Sequence, residues 1–386
     1  MKRSVLMFCA VALVAGMVAP AGAGPTPGGF TTDNVEYVGF VPTEQSTSTG
    51  LTIQGKFMYL TSWKNISVYD ISNPLDPQLL DVEPLGFQFE NENVALSPDG
   101  DTLLFSESLP LDVLHVWNVE DKSNIQEIAQ LEGAGDHTTS CILRCRWAYG
   151  SDGTIVDLRN PAKPKLAADR DSKKSWHART GLNDDGAHDV EEFRNGFLIT
   201  STISDPFQWL DVRKPLRPKV IARGKNPDPE GFLFHSGHWP NRGRARFVLM
   251  QGERNFNPRC DESNGPFMTF DSRRVRRTRT FKLVDTYRLG NGTYSDGKPA
   301  ANALGCSAHW FDEHPTYRNG GLVALGYYEH GTRFLDIKRN GKIKEAGWFV
   351  PFAGSTSAAY WVNRQIVYAV DYTRGIDILR FHRKHM

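Results

Sequence analysis

The sequence predicts an all-β fold, a seven-bladed β-propeller of four-stranded antiparallel blades, and three observations support this prediction. A motif of the form apolar–Asp–apolar–x–x–Pro–x–x–Pro occurs at 68–79, 155–166 and 209–220. An Asp or Asn marker recurs at the end of seven predicted third strands. The chain also begins with an isolated strand and ends with a unit that lacks its last strand. An internal repeat of this kind decides the architecture before any other feature does.

Each unit is predicted to be a meander of short strands separated by turn signals. The predicted units begin near residue 46 and cover 46–81, 90–131, 137–168, 186–220, 235–289, 306–350 and 355 onward. The markers of their third strands are Asp70, Asn118, Asp157, Asp211, Asp271, Asp336 and Asp377. In the three best copies, prolines follow the Asp at the fourth and seventh positions. Proline cannot donate to a strand ladder, so this spacing predicts a turn between the two outer strands.

The isolated strand at 35–41 is predicted to complete the seventh blade. It has no partner nearby in the sequence, and the seventh unit ends without a fourth strand. If 35–41 pairs beside 375–380, the ring closes and no sheet edge remains exposed. We therefore predict one propeller domain over 34–386, preceded by a Pro/Gly-rich lead at 24–33.

Residues 1–23 are typical of a secretory signal peptide, so we expect a secreted or extracytoplasmic protein. A basic start, Lys2-Arg3, precedes an apolar run and the small residues Ala21-Gly22-Ala23. No later stretch is long and apolar enough to predict a transmembrane segment. The net charge of +1 gives no global field for nucleic acid. The basic run 273–277 has no interleaved aromatic residues, which favours a solvated loop over a nucleic-acid site.

Four cysteines remain after the predicted signal peptide, an even number that indicates disulfides in an exported chain. Three pairings are possible. Cys141 and Cys145 are close enough to close a small loop if the segment bends, and Cys260 then pairs with Cys306 by elimination. A zinc site is the weaker alternative, because these spacings match no common zinc pattern.

The candidate site is a ring of histidines and carboxylates at one mouth of the axial channel. Antiparallel pairing brings the start of each inner strand and the end of each second strand to the same face. The predicted metal ligands on these positions are His137, His188, His238, His309, Glu253 and Glu329. Glu92 occupies the same position in the second unit, and His235, His330 and Trp310 are expected beside this mouth. Imidazole and carboxylate groups are the usual ligands of a divalent transition metal.

The alternative is that these histidines are structural. Each imidazole would then bond an Asp or Ser of its own blade, with Asp189, Ser236 and Ser307 as the available partners. The sequence leaves both interpretations open, and the cofactor is unknown beyond a candidate divalent transition metal.

The repeat resembles that of the LVIVD-repeat proteins, a propeller-forming group of largely undefined function. The resemblance rests on the apolar second strand followed by the Asp–Pro–Pro motif, best seen in units one, three and four. It implies the propeller fold and leaves the activity open. One axial histidine per blade is also similar in arrangement to the carotenoid-cleaving oxygenases, which bind iron through four histidines. No sequence motif of that second family is present.

Two functions follow as expectations. The first is an exported binding platform for an unidentified protein, glycan or small molecule at the propeller mouth, with a metal at the axial channel. The second is a metal-dependent enzyme, an oxidase or hydrolase, built on the histidine ring. The chain contains no Gly-x-Ser-x-Gly elbow, phosphate-binding loop or dinucleotide fingerprint, so these common catalytic classes are not indicated.

Overall fold

Within each blade, successive strands run in opposite directions between the two faces of a disc, because a turn reverses the chain after each strand. The computed structural model describes residues 28–43, 48–85, 92–107, 112–183, 186–254, 260, 264–290 and 304–383. In this part of the chain, seven antiparallel sheets of four or five strands form the blades of a propeller. The predicted fold class is confirmed.

The strands follow one another around the ring in chain order. The chain enters through β1 (Gly29–Thr31) and β2 (Val35–Pro42). Blades 1 and 2 contain β3 (Ser48–Gln54), β4 (Phe57–Ser62), β5 (Asn65–Asp70), β6 (Gln78–Pro84), β7 (Ala95–Leu96), β8 (Thr102–Glu107), β9 (Val113–Asn118) and β10 (Gln126–Glu132). Blades 3 and 4 contain β11 (Thr139–Ile142), β12 (Trp147–Gly150), β13 (Ile155–Asp157), β14 (Lys165–Ala168), β15 (Ala187–Arg194), β16 (Phe197–Thr202), β17 (Phe207–Asp211) and β18 (Lys219–Gly224).

Blades 5 to 7 complete the ring. They contain β19 (Leu233–His238), β20 (Phe247–Glu253), β21 (Phe267–Asp271), β22 (Lys282–Tyr287), β23 (Phe311–Glu313), β24 (Gly321–Gly326), β25 (Thr332–Ile337), β26 (Ile343–Pro351), β27 (Thr356–Trp361), β28 (Ile366–Asp371) and β29 (Gly375–Phe381). Three short helices lie between strands: α1 (Trp176–Thr180), α2 (Pro240–Gly243) and α3 (Val275–Thr278).

The predicted closure of the ring is confirmed. Strand β2 lies antiparallel beside β29, with Val35 opposite Phe381 and Pro42 opposite Gly375. A further strand, β1, was not predicted: it pairs with β26 and makes blade 6 five-stranded. The entering segment therefore covers the outer edges of two neighbouring blades.

In blades 1, 3 and 4 the repeated Asp caps the turn that follows the third strand, whereas Asp377, predicted to end its strand, lies within β29 and pairs with Arg374. The Asp157 carboxylate accepts a hydrogen bond from the backbone N–H of Arg159 at 3.1 Å, and Asp211 accepts one from Arg213 at 3.1 Å. Asp70 does the same with Ser72 at 2.7 Å. A carboxylate that bonds the backbone two residues later stabilises a tight turn. The marker therefore ends the third strand by side-chain chemistry, and the prolines continue the turn.

The basic run 273–277 forms the short helix α3 where we expected a plain loop. This turn has no proline, so its backbone N–H groups remain free to make helical bonds. The N–H groups of Arg277 and Thr278 both donate to the carbonyl oxygen of Arg274 at 2.9 Å. The helix contributes Arg276 to one face of the disc.

Large aromatic side chains fill the space between neighbouring blades. Phe207, Phe234 and Phe270 are fully buried, and the rings of Phe207 and Phe270 lie 5.0 Å apart edge to face. Such pairs add to the free energy gained by burial and fix ring orientation. Packing of this kind holds the inner strands, and hence the axial side chains, in place.

Both predicted disulfides are present. Cys141 bonds to Cys145 and Cys260 bonds to Cys306. The predicted bend in the first segment is a left-handed turn, since Leu143, Arg144 and Cys145 all have positive φ. The zinc alternative is not supported, because each sulfur is bonded to another sulfur.

Some predictions fall outside the described residues. These are the signal peptide at 1–23 and the start of the Pro/Gly-rich lead at 24–33. Among the described helices, none has the length and apolar character needed to cross a bilayer.

Candidate metal centre on the propeller axis

Irregular pairing at the start of the inner strands directs two histidines toward the axis. The register of β15 against β16 shifts between Ala187 and Asp189, and His188 is the extra residue. The register of β19 against β20 shifts in the same way around His235. An extra residue in one strand re-aims its side chain, and such bulges are common beside functional sites.

Gly186 forms the turn that leads into the bulge at His188. Its φ is +74°, a left-handed conformation that favours glycine, and an added Cβ would lie 2.6 Å from the His177 ring. The turn before β15 therefore depends on this residue. His188 follows two positions later.

Four imidazoles converge on one carboxylate, that of Glu92. The Nε2 atoms of His137, His188 and His235 lie 3.2, 3.6 and 3.2 Å from Glu92 Oε2. The Nε2 atom of His309 lies 3.0 Å from the other oxygen, Oε1. Blades 3, 4, 5 and 6 each contribute one histidine, so four consecutive inner strands point at a single group.

The histidines form a continuous arc around Glu92. Ring centroids of His137 and His188 are 4.7 Å apart, those of His188 and His235 are 3.8 Å apart, and those of His235 and His309 are 4.1 Å apart. Three overlapping sets of nitrogen and oxygen atoms each lie within 4.8 Å of one another: Glu92 with His235 and His309, Glu92 with His137 and His188, and Glu253 with His188 and His235. We call these six residues the axial cluster.

Backbone carbonyl groups determine the tautomers of two of these histidines. His188 Nδ1 lies 3.0 Å from the carbonyl oxygen of His235, and His309 Nδ1 lies 2.8 Å from that of Ser357. A carbonyl oxygen only accepts, so each Nδ1 carries the hydrogen. In the neutral ring, Nε2 then presents a lone pair toward Glu92. This is the arrangement by which proteins orient metal-binding imidazoles.

Three further side chains donate hydrogen bonds to the carboxylates of Glu92 and Glu253. Trp310 donates its indole N–H to Glu92 at 3.2 Å, and Tyr372 donates its hydroxyl to Glu92 at 2.9 Å. Tyr328 donates to Glu253, whose other oxygen lies 3.7 Å from His235 Nε2. These bonds restrict the positions of both carboxylates.

The cluster is almost closed to solvent, and this shifts its protonation. Burial lowers the pKa of His188 well below its ordinary value, and burial also lowers the pKa of His235. Burial acts in the opposite direction on Glu92, but the positive charge that His309, His137 and His235 carry when protonated holds its pKa well below the usual range. A neutral His188 beside an ionised Glu92 is the pair of protonation states that a bound cation requires.

His235 is the buried polar group with the fewest bonds at this site. Its side chain has no exposed surface, and neither ring nitrogen makes a hydrogen bond of good geometry with any described residue. A buried polar group without a partner is costly, and native structures contain few of them. A ligand on Nε2 would satisfy it.

The structure brings four of the six predicted ligands into the axial cluster and leaves two outside it. His137, His188, His309 and Glu253 lie together as described. His238 lies further along β19, with Nδ1 2.8 Å from Glu313. Glu329 instead accepts the backbone N–H groups of Leu304 and Gly305 at 3.0 and 2.6 Å.

Two members of the cluster were expected near this mouth but not among the ligands. His235 was not predicted as a ligand because the short sequences that end in His188 and His238 look alike, so His238 was chosen. The bulge around His235 shifts the register of β19 against β20, and this shift is not visible in the sequence. A signal was available: His188, His235 and His137 each precede a polar residue, respectively Asp189, Ser236 and Thr138. Glu92 stands where blades 3 to 6 place histidine.

The partners named for a structural role are engaged elsewhere. Asp189 accepts a bond from Asn93 of blade 2 at 3.1 Å, and Ser307 accepts one from the backbone N–H of Arg254 at 3.0 Å. Ser236 Oγ lies 3.3 Å from Gln251 of the adjacent strand. The carbonyl groups that bond His188 and His309 belong to the next blade in each case.

His238 is expected to make stability depend on pH. Burial alone would lower its pKa, but Glu313, with smaller contributions from Glu191 and Asp312, raises the pKa to about 10. The folded state therefore holds a proton that the unfolded chain loses above its ordinary 6.5. This stabilisation is complete below pH 6.5 and is lost as the pH rises toward 10.

We expect His238→Gln to lower the free energy of unfolding at pH 7 by about 1.5–3 kcal/mol, the usual value of a hydrogen bond to a charged group. Urea unfolding of both proteins between pH 7.5 and 9.5 checks this. The wild type should lose stability over this interval and the variant should lose less. Equal slopes would show that the pair does not carry the effect.

No family model matches the chain, and no curated protein matches it.

Proposed function

We propose that this protein binds one divalent transition-metal ion at the axial cluster. The observation that carries the proposal is the convergence of four Nε2 atoms on Glu92, with Nδ1 of His188 and His309 already bonded to carbonyl oxygens. Lone pairs that face a carboxylate repel it unless a proton or a cation lies between them. Imidazole nitrogens with one or two carboxylates suit zinc, copper, iron or nickel.

The ion would be ligated by Nε2 of the histidines and by Glu92, with Glu253 beside it. Trp310 and Tyr372 would orient the Glu92 carboxylate, and Tyr328 would orient Glu253. Groups of this kind keep ligands in position and are needed for full affinity. The four histidines come from four consecutive blades, so the ion would also link these four blades to one another.

The propeller fold is compatible with a binding platform. The axial cluster would then lie at the mouth of the axial channel, where a partner would bind. Export remains a prediction from residues 1–23, supported by the two disulfides, since such bonds persist in oxidising compartments. Membership of the LVIVD-repeat proteins also remains a prediction.

Metal analysis of the purified protein tests the proposal. We expect about one ion per chain after dialysis against a mixture of zinc, copper and iron salts, and loss of this ion in the double variant His235→Gln/His309→Gln. His382→Gln is the matched control, because that histidine is exposed and pairs only with Glu36 among the described residues. Metal that survives the double substitution, or a wild type that never retains metal, would contradict the proposal.

A metal-dependent enzyme, an oxidase or hydrolase, is the second candidate, and one observation favours it. The side chain of His137 is 22% exposed, whereas that of Glu92 is 2% exposed. A site that opens at one ligand can admit a small molecule to the metal, as catalytic sites do and closed structural sites do not. Azide added to the copper-loaded protein distinguishes the two. A shifted visible absorption band indicates an open position, and an unchanged spectrum indicates a structural ion.

A further inference from the structure

A large basic cavity opens on the face of the disc opposite the axial cluster. Strand β15 starts at the cluster with His188 and ends with Arg194 at the cavity, about 20 Å further along at the usual rise per residue. The cavity has a volume of about 1090 Å³, and its walls are the turns of blades 4, 5 and 6. It is therefore independent of the proposed metal centre.

Positive charge is concentrated in this cavity. Nine of its lining residues are Lys or Arg and one, Asp336, is acidic. Neighbouring carboxylates neutralise some of these cations: Asp336 pairs with Lys338, and Asp271 pairs with Arg246 at 3.1 Å and with Arg273 at 2.7 Å. The net charge of the whole chain is only +1, so the excess here is local.

Several of the guanidinium groups have no acidic partner. Arg244, Arg276 and Arg383 make no ion pair with any described residue, and Arg276 lies over the Trp209 ring at 5.6 Å. Unpaired cations that face one concave surface repel one another, and this repulsion favours a bound anion. Arginine also suits carboxylate and sulfate groups, because it can donate two parallel hydrogen bonds.

Two of the residues that line this cavity have a buried N–H group without a partner among the described residues. Trp209 is only 3% exposed, and its indole N–H has no hydrogen-bond partner among the described residues. The Nε–H of Arg194 also lacks one. An indole N–H can only donate. A ligand with acceptor oxygens would satisfy both groups.

The basic surface continues beyond this cavity. A second cavity of about 310 Å³ lies between blades 3 and 4 on the same face, lined by Arg144, Arg146, Arg159 and Arg213. Arg159 and Arg213 are paired with the turn-capping Asp157 and Asp211, whereas Arg144 and Arg146 have no ion pair among the described residues. Arg194 lines the larger cavity and the next residue, Asn195, lines the smaller one, so the two cavities are neighbours on this face. Two neighbouring basic cavities favour a ligand that carries several negative charges along a chain.

We propose that this strip, formed by the two cavities, binds an acidic polysaccharide with sulfate or uronate groups. The aromatic residues of the larger cavity are buried: Trp209, Trp239 and Phe193 are 3%, 6% and 8% exposed. They therefore offer no free ring face for stacking bases, on which single-stranded nucleic-acid binding depends. Asn319 and Thr316 add polar groups that sugar hydroxyls can bond.

A heparin decasaccharide serves as the probe, and fluorescence anisotropy measures its binding. We expect binding to the wild type that weakens as salt is raised, since screening acts on exposed charges. The double variant Arg244→Gln/Arg276→Gln should bind at least about tenfold more weakly, because two charge-assisted contacts are removed. Both residues are exposed, so circular dichroism should show an unchanged fold.

Lys173→Gln/Lys174→Gln is the matched control, because it removes two exposed charges from a loop on the opposite face. Equal loss in both double variants would overturn the proposal in favour of an unspecific charge effect. Binding of a 20-residue single-stranded DNA or of poly-glutamate as tight as that of the decasaccharide would overturn the assignment to polysaccharide. Binding that is unchanged by chelators would show that this site works without the metal.

Discussion

Glu92→Gln should abolish metal binding and leave the metal-free protein about as stable as the wild type. Glutamine keeps the shape of the side chain but removes the negative charge that a cation needs. Its amide nitrogen, at the position of Oε1, can donate to the Nε2 lone pair of His309, whose hydrogen is on Nδ1, and its oxygen, at the position of Oε2, still accepts from Trp310. The wild type should gain about 2.7 kcal/mol when free metal is 100 times the dissociation constant, and the variant should gain nothing.

This experiment separates the two interpretations that the sequence left open. If the histidines are protonated and simply hold Glu92 by ion pairs, removal of the carboxylate leaves buried charge without a partner. Such a change costs about 3–5 kcal/mol. Thermal and urea unfolding, each with and without metal, measure both quantities. A variant that is destabilised by this amount, together with a wild type that does not respond to metal, would establish a structural ion-pair network instead.

Deletion of residues 28–42 should prevent formation of a stable ring. Strand β2 supplies the outer position of blade 7, where Val35 and Val41 are buried. Their burial alone is worth about 3–6 kcal/mol, a large part of the stability of an ordinary domain. The deletion also exposes the edge of β29, which favours aggregation. We expect loss of the cooperative unfolding transition and association detectable by size-exclusion chromatography.

A shorter deletion provides the control. Removal of 28–31 takes away β1, which adds a fifth strand to a blade that already has four, so stability should fall much less. A synthetic peptide of residues 28–43, added to the longer deletion, should restore the transition in part. If the longer deletion unfolds like the full chain, the closure does not hold the ring together.

The fold could be predicted because its signal is local and repeated. In blades 1, 3 and 4 the marker Asp caps its own turn through a backbone bond two residues away, so the same short motif produces the same geometry in different blades. The pairing of 35–41 with the last blade followed from counting strands. Strand β1 could not be predicted, because three residues at the edge of a complete blade leave no periodic pattern.

The site was predicted less completely for a reason of register. Side chains alternate along a strand, so a single extra residue exchanges the axial and outer positions. The bulges at His188 and His235 are such extra residues, and the sequence does not reveal where pairing shifts. His238 therefore looked equivalent to His188, although it lies beside Glu313. The basic strip was missed because its arginines come from turns of four different blades, and only the fold brings them together.

The closure of the ring also sets the order in which the chain can fold. Pairing of Val35 with Phe381 joins residues 346 positions apart, among the most distant contacts that this chain makes. Contacts of this kind form slowly, because the entropy of closing a long loop must be overcome before they stabilise anything. During synthesis, the first strand must remain unpaired until the seventh blade has been made. Its partner β29 is the last strand to be made, so β2 waits unpaired for longer than the strands that pair within their own blade. Binding of β2 is then the step that converts a series of six finished blades and one incomplete blade into a closed disc.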